Sequence, residues 1–321
     1  MEKKAFILGV IAIAAAGCAK NEINVIHHDG YTIVSQTRGP ELGYNEDSGV
    51  RILNIDGFAF KDLDKDGELD IYEDWRRPVT ERARDLASKM PVERICGLML
   101  YSSAVDAMTA ELTPKQTVYL RDDYIRHMLV RNIADAATGA EWSNRVQAFC
   151  EAEPFGIPSN NSTDPRNYTN GQANTNTYKP EPDGEFDPDG TSKISLWPRE
   201  VGMAATFDPE IARRHGEIIS SEYRALGITT ALSPQADLST DPRWRRFYGT
   251  FSESPELNRD IVREYCDAFQ TTEGAKDGWG RGSVNCMVKH WPGGGTGESG
   301  RDAHFGTGKY AVYPGDNFAQ N

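Results

Sequence analysis

Val284-Asn285-Cys286-Met287-Val288-Lys289-His290-Trp291-Pro292-Gly293-Gly294-Gly295 sets a Lys-His pair at the end of an apolar run and follows it at once with proline and three glycines. Val284, Met287 and Val288 make residues 284–290 a strand candidate, and the glycines let the backbone turn away and leave room for a ligand. Lysine almost never ends a buried apolar strand without a partner, so this strand is expected to deliver two polar side chains into a cleft. Just upstream, Ser254-Pro255 opens a helix pattern with Leu257, Ile261, Tyr265 and Phe269 on one face. Residues 228–232 form the strand candidate before that helix.

The same alternation continues towards the N-terminus. Asp208-Pro209 opens a capped helix with Ile211, His215, Ile218, Ile219 and Leu226 on one side, and Gly227 ends it. Residues 137–152 have helical spacing in Trp142, Val146, Phe149 and Cys150, and residues 95–101, 125–130 and 156–159 supply three more strand candidates. Strands alternating with helices are the pattern of βα units around a parallel sheet. About five units are present, where a closed (β/α)₈ barrel needs about eight. An open sheet would expose a long unpaired edge. The expected fold is therefore α/β, an incomplete (β/α)₈ TIM barrel over residues 80–321. Residues 167–192, rich in Asn, Gly, Asp and Pro, read as a loop insertion on its rim.

Four blocks in order resemble the N-terminal domain of glycoside hydrolase family 3, the family of β-glucosidases and their relatives. They are Gly156-Ile157-Pro158 leading to Asp164-Pro165-Arg166; Ser233-Pro234-Gln235-Ala236-Asp237-Leu238; Asp241 to Pro255, including Trp244-Arg245-Arg246; and the Lys289-His290-Trp291-Pro292-Gly293 segment. The resemblance implies a pocket at the C-terminal ends of barrel strands. There Asp164 holds hydroxyls of the terminal, non-reducing sugar, Lys289 and His290 bind the same ring, and Arg246 completes the grip. The family usually has glycine where this chain has Arg245, which adds a cation to that loop. Trp291 is expected either to stack on a sugar face or to pack under the loop.

Retaining hydrolysis needs a nucleophile and an acid/base carboxyl about 5–5.5 Å apart. The resemblance implies an aspartate nucleophile on a later strand, expected beyond Asn321, and an acid/base glutamate from a following domain. The expected function is thus the N-terminal part of an exo-acting retaining β-glycosidase, most simply a β-glucosidase acting on a β-linked glycan, and inactive alone. Two alternatives stand beside it. One is a lipid-anchored sugar-binding protein without catalysis. The other is a β-N-acetylglucosaminidase, because Asp302-Ala303-His304 resembles the Asp-x-His acid/base dyad of that subfamily. Six residues separate Gly295 from Asp302, a longer interval than the subfamily uses, which favours a loop closing over the sugar.

Near the N-terminus, Met1-Glu2-Lys3-Lys4, an apolar run over residues 5–16 and Gly17-Cys18 read as a bacterial lipoprotein signal, with Cys18 the acylation site. The run is too short to span a bilayer as a helix. Export to the periplasm or outer membrane, with membrane contact only through the lipid anchor, is the expectation. Residues 19 to about 50 look like a polar tether with an irregular lead-in. Asp62-Leu63-Asp64-Lys65-Asp66-Gly67-Glu68-Leu69-Asp70-Ile71-Tyr72-Glu73 then matches the EF-hand loop pattern. Asp62, Asp64, Asp66, Asp70 and Glu73, with the backbone carbonyl of Glu68, are expected to hold one structural Ca²⁺ that pins the entry segment to the barrel. No catalytic cofactor is expected.

The 321 residues are 38% hydrophobic and 10% aromatic, enough for a sizeable core. A net charge of −13 without a clustered basic face argues against nucleic acid as a partner. Cys96, Cys150, Cys266 and Cys286 lie far apart, with no metal-ligand or disulfide-scaffold spacing, and read as buried free thiols.

Overall fold

A computed structural model describes residues 21–164, 195–290, 293–295 and 297–304. The chain divides into two compact units, Met1–Leu86 and Ala87–Asn321. The expected signal peptide with Cys18, the loop at 167–192 and Trp291 lie outside the described residues.

In the first unit, β1 (Ile23–His28), β2 (Tyr31–Gln36) and β3 (Leu42–Tyr44) form an antiparallel sheet in that order. The expected tether is thus a meander from residue 23 onward. Asp29-Gly30 makes its first turn, with Gly30 at φ 78°, a conformation glycine adopts without steric cost. β4 (Arg51–Ile55) and β5 (Phe58–Asp62) form a second hairpin around Asp56-Gly57, both at positive φ. β5 buries Ala59, Phe60 and Asp62. Trp75 stacks on Phe60 with ring centroids 5.3 Å apart and donates its indole N–H to the Ala59 carbonyl at 2.9 Å. Helix α1 (Val79–Lys89) follows.

The second unit contains α2 (Val92–Leu98), β6 (Val105–Ala107), α3 (Pro114–Arg121), β7 (His127–Ile133), α4 (Ala136–Ala152) and β8 (Asn160–Thr163). It continues with α5 (Glu200–Ala204), α6 (Pro209–Ala225), β9 (Thr230–Ala231), α7 (Pro255–Gln270) and β10 (Asn285–Cys286). The five strands β6 to β10 form one sheet in sequence order, and every pairing is parallel. Parallel neighbours need crossovers, and the helices supply them. Their apolar faces meet the sheet in a core that includes Met128 and Val130 of β7, Trp142 and Val146 of α4, Ile219 and Tyr223 of α6, and Ile261 and Phe269 of α7. The capping expectations hold. The Asp208 carboxylate accepts the Glu210 N–H at 3.0 Å, and the Ser254 hydroxyl accepts the Leu257 N–H at 3.3 Å.

Several boundaries differ from the sequence reading. Residues 95–101 are not a strand: α2 occupies Val92–Leu98, with Pro91 at its start and Val92, Ile95 and Leu98 at helical spacing, and only Tyr101 bridges to His127. Residues 156–159 are not the third strand either. A 3₁₀ turn covers Pro154–Gly156, and β8 begins at Asn160. The fifth strand is short, extended by a parallel bridge between Gln235 and Lys289. Ile218 of α6 is exposed, and so is the Cys96 thiol, whereas Cys150 is buried and Cys266 and Cys286 are half-buried. No helix among the described residues is long and apolar enough to cross a membrane.

Candidate active site

Side chains just past the C-terminal ends of parallel strands share one rim of the sheet. Asp164 follows β8 directly, the segment Ser233–Asp237 follows β9, and Lys289-His290 follows β10. Lys289 Nζ donates to Asp164 Oδ1, and the two side chains are only 14% and 9% exposed, so each satisfies the charge of the other. The backbone fixes this meeting. Lys289 N donates to the Pro234 carbonyl at 2.9 Å, and Ala236 N donates to the Lys289 carbonyl at 2.6 Å. On the same rim the Tyr101 hydroxyl bonds the Ser162 hydroxyl. Burial pushes the Tyr101 hydroxyl above its ordinary pKa, against the Ser162 hydrogen bond and with help from the charge of Asp164.

Asp237 is the hub that the sequence reading did not single out. Its buried carboxylate accepts the His290 backbone N–H at 3.2 Å, bonds His290 Nδ1 at 2.8 Å and accepts the Gly294 backbone N–H. A carboxylate on Nδ1 places the proton there and fixes the ring, leaving Nε2 as the second functional atom. The glycines are required by close approach. A Cβ on Gly294 would lie 3.0 Å from the Trp244 ring and 3.1 Å from Asp237 Oδ1, and one on Gly295 would lie 2.6 Å from the Leu238 carbonyl oxygen.

The arginine loop completes the cluster. Arg246 donates from Nε and Nη2 to Gln235 Oε1 at 3.4 and 3.1 Å, and its Nη1 lies 3.3 Å from His304 Nε2. His304 Nδ1 bonds Asp302 Oδ1 at 2.6 Å, and the His304 backbone N–H donates to the same oxygen at 2.8 Å. The buried Trp244 indole donates to Asp302 Oδ2 at 3.1 Å. Burial raises the Asp302 pKa, yet hydrogen bonds from His304 and the charges of His304 and Arg246 hold the carboxyl below its ordinary value overall. The His304 ring stands edge-to-face on His290, with centroids 5.1 Å apart. Asp164 with Lys289, and His290 with His304, Arg246 and Asp302, are thereby linked through consecutive residues 289 and 290. Arg243, by contrast, turns to Asp241, with Nη2 to Oδ2 at 2.7 Å.

In the first unit, Asp62, Asp64 and Asp66 bring one carboxylate oxygen each within 4.8 Å of one another, and Asp64, Asp70 and Glu73 do the same. Glu68 donates its backbone N–H to Asp66 Oδ1 at 2.8 Å. Burial, a hydrogen bond with Asp70 and the charge of Asp66 push the Asp64 carboxyl above its ordinary pKa.

A parallel α/β sheet with sugar-suited acids, bases and cations on one rim defines a class that comparison with known proteins makes specific. Residues 189–312 match the glycosyl hydrolase family 3 N terminal domain, and the chain belongs to that family. It is 39% identical over 277 residues to a periplasmic β-glucosidase/β-xylosidase of Dickeya chrysanthemi, covering 84% of this chain and 40% of that protein. It is 34% identical over 256 residues to β-glucosidase C of Emericella nidulans, covering 79% of this chain and 39% of that protein. The chain therefore spans about 40% of the length of these relatives. Its fold is shared with a β-glucosidase structure from Erythrobacter marinus at TM-score 0.55 and 20% identity, covering 73% of this chain and 28% of that one.

Proposed function

We propose that this chain supplies the sugar-gripping wall of an exported, exo-acting retaining β-glycosidase, a β-glucosidase in the first instance. The observation that carries the reading is the Asp164–Lys289 pair beside His290, on the rim where β8, β9 and β10 end. In this reading the five-stranded sheet is an arc of a (β/α)₈ barrel. A terminal sugar displaces part of the Asp164–Lys289 bond: the carboxylate accepts from two hydroxyls, while Lys289, His290 and Arg246 donate to ring oxygens and hydroxyls. Asp237 keeps His290 aimed, and Gln235 keeps Arg246 aimed. Such contacts orient the ring and tighten as charge develops at the anomeric carbon. None of the described residues is assigned the nucleophile. The periplasmic description of the Dickeya relative supports export, and Cys18 would carry the lipid anchor.

The test is hydrolysis of aryl β-glucosides by the full-length protein, alone and with Asp164→Asn. Turnover that falls by about 10²-fold or more in the variant, as expected when transition-state contacts to a charged group are lost, supports the reading. Saturable glucose binding without turnover would identify a sugar-binding protein instead. The Asp302–His304 bond favours a second reading, in which this pair is the acid/base of a β-N-acetylglucosaminidase. There His304→Ala should cost at least about 10²-fold on an aryl N-acetylglucosaminide. Near-normal turnover would leave His304 as a donor to the sugar.

A further inference from the structure

The glycosidase reading makes no use of the twelve-residue acidic loop in the first unit. We infer that residues 62–73 form a binding site for one Ca²⁺, with Asp62, Asp64, Asp66, Asp70 and Glu73 as carboxylate ligands and the Glu68 carbonyl as a sixth. The spacing alone also fits a solvated acidic turn. The structure adds how each group is held. Asp62 is fully buried, and its two oxygens are used differently. Oδ2 accepts the Gly67 backbone N–H at 3.2 Å and lies 3.7 Å from Arg51 Nε, whereas Oδ1 is buried with no hydrogen-bond partner. A buried carboxylate oxygen without a donor is costly, and a cation removes that cost.

Gly67 at φ 87° makes the sharp turn that lets position six of the loop reach back to position one. At the other end, Glu73 is almost fully buried and clamped by the loop backbone: Oε1 accepts from Leu63 N at 2.6 Å and Asp64 N at 3.3 Å, and Oε2 accepts from Asp70 N at 3.0 Å. The two carboxylate triads share Asp64, which joins the two ends of the loop. An all-oxygen set of this charge and number suits a hard cation with flexible coordination, which is Ca²⁺ rather than the strictly octahedral Mg²⁺ or a metal that prefers nitrogen and sulfur. Among the described residues, the buried apolar side chains of the unit are Val34, Val50, Ala59, Phe60 and Tyr72. Units of this size commonly rely on a metal or disulfide for stability.

The experiment uses the intact protein stripped with a chelator. Calorimetric titration with CaCl₂ should show one saturable site with Kd at or below about 10⁻³ M. Tb³⁺ luminescence sensitised by Tyr72 or Trp75 should appear on binding and be displaced by Ca²⁺. Asp66→Asn, an exposed isosteric change, should weaken Ca²⁺ at least about tenfold while leaving the melting temperature in chelator unchanged or raised, because it removes like charge. Absence of saturable heat at millimolar Ca²⁺ overturns the inference. So does an equal, non-saturating effect of Mg²⁺ and Ca²⁺ that Asp66→Asn does not alter, since that is the behaviour of a screened acidic surface. Each readout is independent of sugar hydrolysis, so failure here leaves the glycosidase reading untouched.

Discussion

Asp164 and Lys289 are 125 positions apart, and each is tolerated in the interior because the other is there. Removing one partner takes away the opposite charge that offsets the burial of the other. Lys289→Met should therefore destabilise the protein by about 3–5 kcal/mol in urea unfolding, and adding Asp164→Asn should restore much of that loss. Gly295→Ala forces a methyl to within 2.6 Å of the Leu238 carbonyl and should cost about 1–3 kcal/mol by the same measurement. At this scale the sequence was informative where chemistry clashed with its surroundings, as with a Lys-His pair ending an apolar run. Asp237 carries no signal of its own in the sequence, because what it does depends on backbone N–H groups of residues 290 and 294, more than fifty positions later. Gln235 was missed for the same reason, since its amide acts only through Arg246.

Helix α6 buries a histidine that the sequence offers only as one apolar-face position. His215 is buried between Trp197, at 5.3 Å, and Tyr265, at 5.4 Å, and its Nδ1 has no hydrogen bond. Burial holds its pKa down to about 3. The unfolded chain takes up a proton near pH 6.5 that the native imidazole refuses. Stability from this residue is thus complete above about pH 6.5 and falls by about 1.4 kcal/mol per pH unit down to the native pKa. His215→Phe should lose that part of the acid sensitivity. The stability difference between pH 7 and pH 5 should shrink by about 2 kcal/mol relative to the parent in urea titrations. Elements themselves were readable where amphipathic spacing was clear, as in α4, and where spacing and caps agreed, as in α6 and α7. Two failed for opposite reasons. Residues 95–101 are continuously apolar, and a seven-residue apolar run does not distinguish a strand from a helix. β8 reads Asn-Asn-Ser-Thr and looks like a loop, but its polar groups are consumed internally. Asn160 Oδ1 accepts from Thr229 and Thr230 at 2.7 Å each, and Asn161 Nδ2 donates to Ser143 at 2.8 Å.

Among the described residues the second unit has many more buried apolar side chains than the first, and their dynamics should differ accordingly. Amides of β7, α4, α6 and α7, over the large core of the second unit, should be the slowest to exchange with deuterated solvent. Those of β1 to β3, where β1 is largely exposed, should exchange faster by orders of magnitude in chelator. Equal protection throughout would refute this ranking. Whereas β6 carries no strand signal in the sequence, the α/β class and the strands β7, β9 and β10 were legible because alternation is a property of long stretches. The N-terminal meander was not, because β1 alternates too little and only Asp29-Gly30 marks its turn. One feature of the sheet also bears on how the protein is made. Its strands lie side by side in the order of synthesis, so each new strand emerging from the ribosome finds its neighbour already formed. Within this sheet a chain built this way assembles by accretion at one growing edge, with short waits between partners.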